Sequence, residues 1–135
     1  MPTQLEIVSP DKLLLSQPVD MAVIPAAEGE MGVMGGHSPM IVLLQGGTIT
    51  LHEGGKPTAR LYVSGGFAEV TPDRCTVLAD EAVPVAELSR ATAEQRLAAA
   101  EQALAAADKT DMAAIDAATA KIQSARAMLA AAGAA

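Results

Sequence analysis

The sequence predicts an α+β protein: an N-terminal antiparallel β-sandwich of about eight to ten strands, followed by a C-terminal antiparallel two-helix hairpin. Three observations predict it. All eight prolines and ten of the eleven glycines fall at or before Pro84, whereas residues 86 to 132 contain neither. Of the 50 residues from Ala86 onward, 22 are alanine, against seven in the first 85. Up to residue 85 the chain alternates short apolar runs with turn residues, and no helical pattern sits between them, which disfavours parallel βαβ units. Residues 1–85 and 86–135 are therefore expected to be two units.

In the first unit Leu5–Val8 is expected to form a strand ending at Ser9-Pro10-Asp11, and Leu13–Leu15 one leading to Gln17-Pro18. Met21–Ile24 should end at Pro25, just before a glycine-rich segment. Met40–Leu44 stops at Gly46-Gly47, and Thr48–Leu51 alternates polar and apolar before Gly54-Gly55. Ala59–Val63 reaches Gly65-Gly66, Phe67–Val70 reaches Pro72-Asp73, and Cys75–Leu78 closes the series.

The segment from Glu28 to Met40, EGEMGVMGGHSPM, is the one around which these strands are arranged. Its glycines permit positive φ and close approach to another surface, while Met31, Val33, Met34 and Met40 make it a constrained turn and strand. A phosphate-cradling loop would need its glycines followed by Lys-Ser or Lys-Thr and a helix, but Pro39 and a β-type run follow. A zinc site would need ligands with paired spacing, and the other His or Cys candidates are only His52 and the lone Cys75. His37 has two open readings: a turn histidine satisfied by neighbouring backbone, or a partner contact.

The second unit reads as two helices. Thr92 with Gln95 fits a capping box, and Ser89 offers a start one turn earlier. Leu97, Ala100, Leu104 and Ala107 share one face. Asp108–Asp111 breaks the pattern and supplies new capping residues. Ile115, Ile122 and Leu129 then recur every seven residues, with Ala118 and Ala125 between them. Arg96, Glu101, Lys121 and Arg126 lie off these stripes. The two stripes can bury each other in an αα-hairpin, but truncating one buried leucine costs only about 2–5 kcal/mol. A seam this poor in large side chains should open or re-dock at modest cost.

One Phe, one Tyr and no Trp force an aliphatic core and leave no stacking platform for single-stranded nucleic acid. A net charge of −7 opposes phosphate binding as well. Most of that charge lies in residues 1–85, with ten acids against four bases; the tail has six against five. The single cysteine forms no internal disulfide and reads as a small buried hydrophobe. With no basic, apolar leader and no spanning run of 18 or so apolar residues, the expectation is a soluble protein of a reducing compartment. Acids are scattered, and Ser38 and Ser64 lack the Gly-x-Ser-x-Gly setting of a nucleophile elbow. No catalytic constellation and no cofactor site emerge, so the residues point to an interaction module.

Four motifs in order, followed by a two-helix tail, extend that reading: Glu28–Val33, Gly36-His37-Ser38-Pro39-Met40, Ser64–Val70 and Val77–Ala82. Together the chain resembles, over essentially its whole length, the epsilon subunit of F-type ATP synthases (delta in mitochondria). The resemblance implies a non-catalytic stalk protein that packs on the gamma subunit, stands on the polar loops of the membrane c-ring and turns with the rotor of a proton-translocating enzyme. It implies peripheral attachment at the cytoplasmic face of the bacterial inner membrane. It places the partner contacts on Glu28, Glu30, Met31 and the neighbourhood of His37. The hairpin is the part that could reach the alpha and beta head subunits.

The chain also departs from the family pattern. Where some members steady the folded hairpin with ATP through an Ile/Leu-Asp-x-x-Arg-Ala motif, this chain has Leu88-Ser89-Arg90-Ala91-Thr92-Ala93, lacking the carboxylate and the guanidinium. Gly35 stands where proline is frequent. A tail with more acids than bases suits a weak inhibitory arm at most. The rival readings are a cupin or jelly-roll enzyme, which would need an inward cluster of histidines, and a carbohydrate-binding module, which would need exposed rings beyond Tyr62 and Phe67.

Overall fold

A computed structural model describes residues 2–134. Ten strands run in chain order: β1 Thr3–Val8, β2 Leu13–Val19, β3 Met21–Ala26, β4 Gly29–Met34, β5 Met40–Leu44, β6 Gly47–Glu53, β7 Lys56–Val63, β8 Gly66–Val70, β9 Arg74–Ala79 and β10 Ala82–Pro84. They form one continuous sheet, β10-β7-β6-β3-β5-β8-β9-β1-β2, with β4 also paired to β3. A single β3–β5 pairing, Ala26 with Leu44, joins the two halves where the sheet folds over.

Alternation decides which side chains meet inside, because successive residues of a strand point to opposite faces. Leu5, Ile7, Ile24, Ile49, Leu51, Val63, Val70 and Val77 are all fully buried in one aliphatic cluster. Cys75 lies in the same cluster, and burial pushes its thiol up to about 11, as expected of a buried hydrophobe.

Three expectations need correction. The sandwich is not wholly antiparallel: β1 pairs with β9 in parallel, Leu5 facing Cys75 and Ile7 facing Val77. This parallel pair needs no crossover helix, since almost the whole sandwich lies between its two strands. The second and third strands run through Pro18 and Pro25 instead of stopping there. β2 is the outer strand of its edge, so Pro18 costs no ladder bond on the open side. The extra strand β10 pairs with β7 and carries the chain to a single 3-10 turn at Val85–Glu87.

The hairpin consists of α1, Arg90–Ala106, and α2, Met112–Ala134. Ser89, rather than Thr92, caps α1, its hydroxyl accepting from the Thr92 amide at 3.2 Å. In the connecting turn Asp108 accepts from the Thr110 amide at 2.8 Å, and Asp111 accepts from the Ala114 amide at 3.1 Å. Ala100, Ala118, Ile122 and Ala125 are buried as the stripes predict, but Leu104, beside the connecting turn, stays exposed. Met128, off the seven-residue stripe, is buried against Tyr62 and Ala93. The physical reason is that α2 has two neighbours, α1 on one side and the sandwich on the other, and so needs two apolar faces.

Candidate partner interface

β3 and β4 form a hairpin whose turn is Ala27–Glu28, with Ala26 opposite Gly29 and Met21 opposite Met34. Gly29 takes φ +135 at this turn. Glu28 at the tip and Glu30 two residues on are exposed. No base pairs with either among the described residues, which leaves two free carboxylates on a protruding rigid turn.

Met31 points the other way. It faces Ile24 across the ladder and packs half-buried on the core cluster, beneath the acids. His37 lies three residues beyond Met34, the far end of β4, which is itself five residues or about 17 Å along the strand from Gly29 at the tip. Its Nδ1 is 2.8 Å from the Ser38 carbonyl oxygen, and the neighbouring Gly36 amide donates to the Pro72 carbonyl at 2.8 Å. The turn-histidine geometry is therefore present, and the four predicted residues divide between one hairpin tip, its underside and its opposite end.

A larger surface lies on the outward side of the β5-β8-β9-β1-β2 layer. Register aligns Leu43 with Phe67, Phe67 with Leu78, Leu78 with Val8 and Val8 with Leu13. One apolar row thus crosses five strands, about 19 Å at the usual strand spacing. Ile41 is 73 % exposed, Leu43 68 % and Phe67 44 %. An exposed apolar patch of this extent marks a contact surface. The signal was present in the sequence: a strand with one core face needs only alternate apolar residues, yet Met40–Leu44 is apolar throughout.

A third group of side chains holds the hairpin on the sandwich. Gln123 of α2 accepts from the Gly46 amide at 2.8 Å and donates to the Gly46 carbonyl at 2.6 Å. The Ser124 hydroxyl donates to the Ser64 carbonyl at 2.5 Å, and the buried Tyr62 hydroxyl donates to the Ser124 carbonyl at 2.9 Å. Burial, with the Glu81 charge adding to it, pushes the Tyr62 phenol up to about 12. Arg96 of α1 meets both oxygens of Glu81, at 2.5 and 2.9 Å. That hydrogen bonding holds the Glu81 carboxyl below its ordinary value and raises the arginine. Gly46 is required at this junction, because a Cβ there would lie 2.6 Å from the Ser124 Cα. Sequence periodicity missed this group, since Gln123, Ser124 and Arg96 all lie off the apolar stripes.

Among the described residues no three His, Cys, Asp or Glu side chains converge as a metal cage, and no helix is long and apolar enough to cross a membrane. Tyr62 is covered by α2, which leaves Phe67 as the one exposed ring and gives a sugar no platform.

The family model described as "ATP synthase, Delta/Epsilon chain, beta-sandwich domain" matches residues 2–85. A protein of Granulibacter bethesdensis named "ATP synthase epsilon chain" is 74 % identical over 87 residues, covering 64 % of this chain and 64 % of its own length. One of Rhodospirillum rubrum with the same name is 52 % identical over 87 residues, covering 64 % and 65 %. The match thus spans just under two thirds of these relatives. A chain in the structure titled Euglena gracilis mitochondrial ATP synthase, OSCP/F1/c-ring, superposes with a TM-score of 0.77 at 27 % identity, over 96 % of this chain and 81 % of that one. A chain of the Tetrahymena thermophila mitochondrial ATP synthase central stalk and c-ring shares the fold, with a TM-score of 0.64 at 13 % identity over 98 % and 97 %.

Proposed function

The chain belongs to the ATP synthase delta/epsilon-chain family, and from that membership we propose that it is a non-catalytic central-stalk subunit of a proton-translocating F-type enzyme. In this reading it turns with the rotor, coupling c-ring rotation to ATP synthesis. It sits at the cytoplasmic face of the bacterial inner membrane, held there through the complex.

The observation that carries the proposal is the exposed apolar row through Leu43, Phe67 and Leu78. Burying such a row stabilises association by roughly 25 cal/mol for each Å² removed from water, and the gamma subunit is the partner assigned to it. The acidic turn is assigned to the c-ring. Glu28 and Glu30 project from a two-stranded ladder and can meet basic and amide groups of the ring's polar loops. Met31, anchored in the core below them, keeps that turn rigid, while His37 at the opposite end of β4 lies beside the β8–β9 turn on the gamma side.

The hairpin is assigned a weak inhibitory role or none. Ser89, which stands where a nucleotide-holding aspartate would be, is occupied in capping α1, and Thr92, in the arginine's place, gives that cap only its backbone amide. ATP therefore has no carboxylate-guanidinium pair to bind at that position.

The test is binding of the full chain to purified gamma subunit. Ile41→Ser should weaken it at least about tenfold, the effect of losing roughly 1.4 kcal/mol of apolar contact. An intact chain that fails to bind gamma would overturn the stalk assignment.

A further inference from the structure

The outward side of the other sheet layer, away from the apolar row, carries a second set of side chains in register. Met21 of β3 lies directly opposite Met34 of β4 on one side and His52 of β6 on the other. Their neighbours Ala22, Val33 and Leu51 are fully buried in the core, so alternation turns Met21, Met34 and His52 together to the outer face. Side chains directly opposite across a ladder stand about 4.5–5.5 Å apart at Cβ, within reach of a methionine's three rotatable bonds. Met21 leans towards β4: its Sδ lies 3.1 Å from where a Gly32 Cβ would stand. Met34 is 57 % exposed, while Met21 and His52 are half-buried. Among the described residues the His52 ring enters no side-chain hydrogen bond and no ion pair. Thioethers are soft, neutral donors that select a soft cation, and an imidazole suits copper as well. Magnesium and calcium, which take oxygen, find no ligand in this set.

We propose that Met21, Met34 and His52 bind one soft monovalent cation, Cu(I) or its analogue Ag(I), on the outer face of β4-β3-β6. Such a site draws on none of the acids and thiols that make an ordinary metal cage, because thioether sulfur is its main donor. It stands independently of the stalk reading, since it lies on the face opposite the apolar row. The ion ties β6 to β4 across β3, and so braces the hairpin that carries Glu28 and Glu30. Packing alone is served as well by leucine as by methionine at positions 21 and 34. That difference separates a metal site from a packed surface.

The experiment titrates the full-length chain with Ag(I) in chloride-free buffer, and with Cu(I) kept reduced by ascorbate, each against a chromophoric chelator. One equivalent of either ion should bind, shifting the methyl resonances of Met21 and Met34 and the ring resonances of His52, whereas magnesium should shift none of them. Met21→Leu and Met34→Leu keep side-chain volume and should each weaken binding at least about tenfold, the loss usual even for outer partners of a metal ligand. His52→Gln should do the same. Met112→Leu changes an equally exposed methionine on α2, and Cys75→Ala removes the buried thiol. Both should leave affinity within about twofold, as distant sites do. Wild-type affinity in both Met21→Leu and Met34→Leu would overturn the site. Loss of binding in Cys75→Ala alone would overturn it in favour of the thiol, and an intact chain that takes up neither ion would overturn it outright.

Discussion

Tyr62 and Glu81 show how single residues at the sandwich surface answer to the hairpin above them. The Tyr62 ring is buried by Met128 and Ala93, and its hydroxyl ends in a hydrogen bond to the Ser124 carbonyl. Glu81 is held ionised by the Arg96 guanidinium, which pulls its pKa below the ordinary 4.5. A carboxylate whose folded pKa is depressed adds stability above its ordinary value and loses it as pH falls through the folded one. Docking should therefore weaken progressively as pH drops below 4.5. The pair is part-exposed, so solvent screening limits it to about 0.2–1 kcal/mol. Glu81→Gln at neutral pH should raise α1 amide exchange by about twofold to fivefold, while wild type and variant should converge in acid. A variant difference that persists undiminished in acid would disprove the ionic origin.

At the scale of elements, the hairpin joins the sandwich through α2 far more than through α1. Two helices seamed with alanine should hold each other weakly, an expectation drawn from the stripes. The structure adds four hydrogen bonds between α2 and the sandwich that no stripe foretells. Gly46 is the point where helix and loop come closest. Gly46→Val would press its side chain into the Ser124 backbone and the Gln123 amide, at a typical overpacking cost of about 1–3 kcal/mol. Exchange in α2 should accelerate by one to two orders of magnitude, on the order of ten- to a hundredfold, while the β1 and β9 amides remain slow. Unchanged α2 protection would show that Gly46 does not govern docking.

For the molecule as a whole, the useful quantity is where its surfaces lie relative to one another. The acidic hairpin tip and the docked α2 both border the apolar row at its Leu43–Phe67 end: the Ala27 amide donates to the Leu43 carbonyl at 2.8 Å, and Ala27, Leu43, Phe67 and Ala120 line one cleft. A tail with six acids against five bases is a poor match for an acidic segment of a catalytic head. Removing residues 86–135 should change the ATPase rate of the reconstituted head complex by less than about twofold, since scattered exposed charges contribute little across a Debye length. A large rise in that rate would establish the hairpin as an inhibitor.

The sequence by itself determined the two-part organisation, the aliphatic core, most of the strands and the acidic turn at Glu28 and Glu30, and it narrowed the cap of α1 to Thr92 or Ser89, between which the structure chose Ser89. Each of these is written in neighbouring residues: alternation along a strand, a hydroxyl three residues before an amide, a turn flanked by glycine. Only the tertiary structure decided that β1 lies parallel to β9, that Met31 faces away from the acids, and that His37 sits at the other end of the ladder. It alone aligned Leu43, Phe67, Leu78, Val8 and Leu13 into one row, and it alone brought Gln123 to Gly46 across 77 residues of chain. Local periodicity fixes which face a side chain takes, whereas register and docking depend on contacts between segments far apart in sequence, whose energies no short window contains.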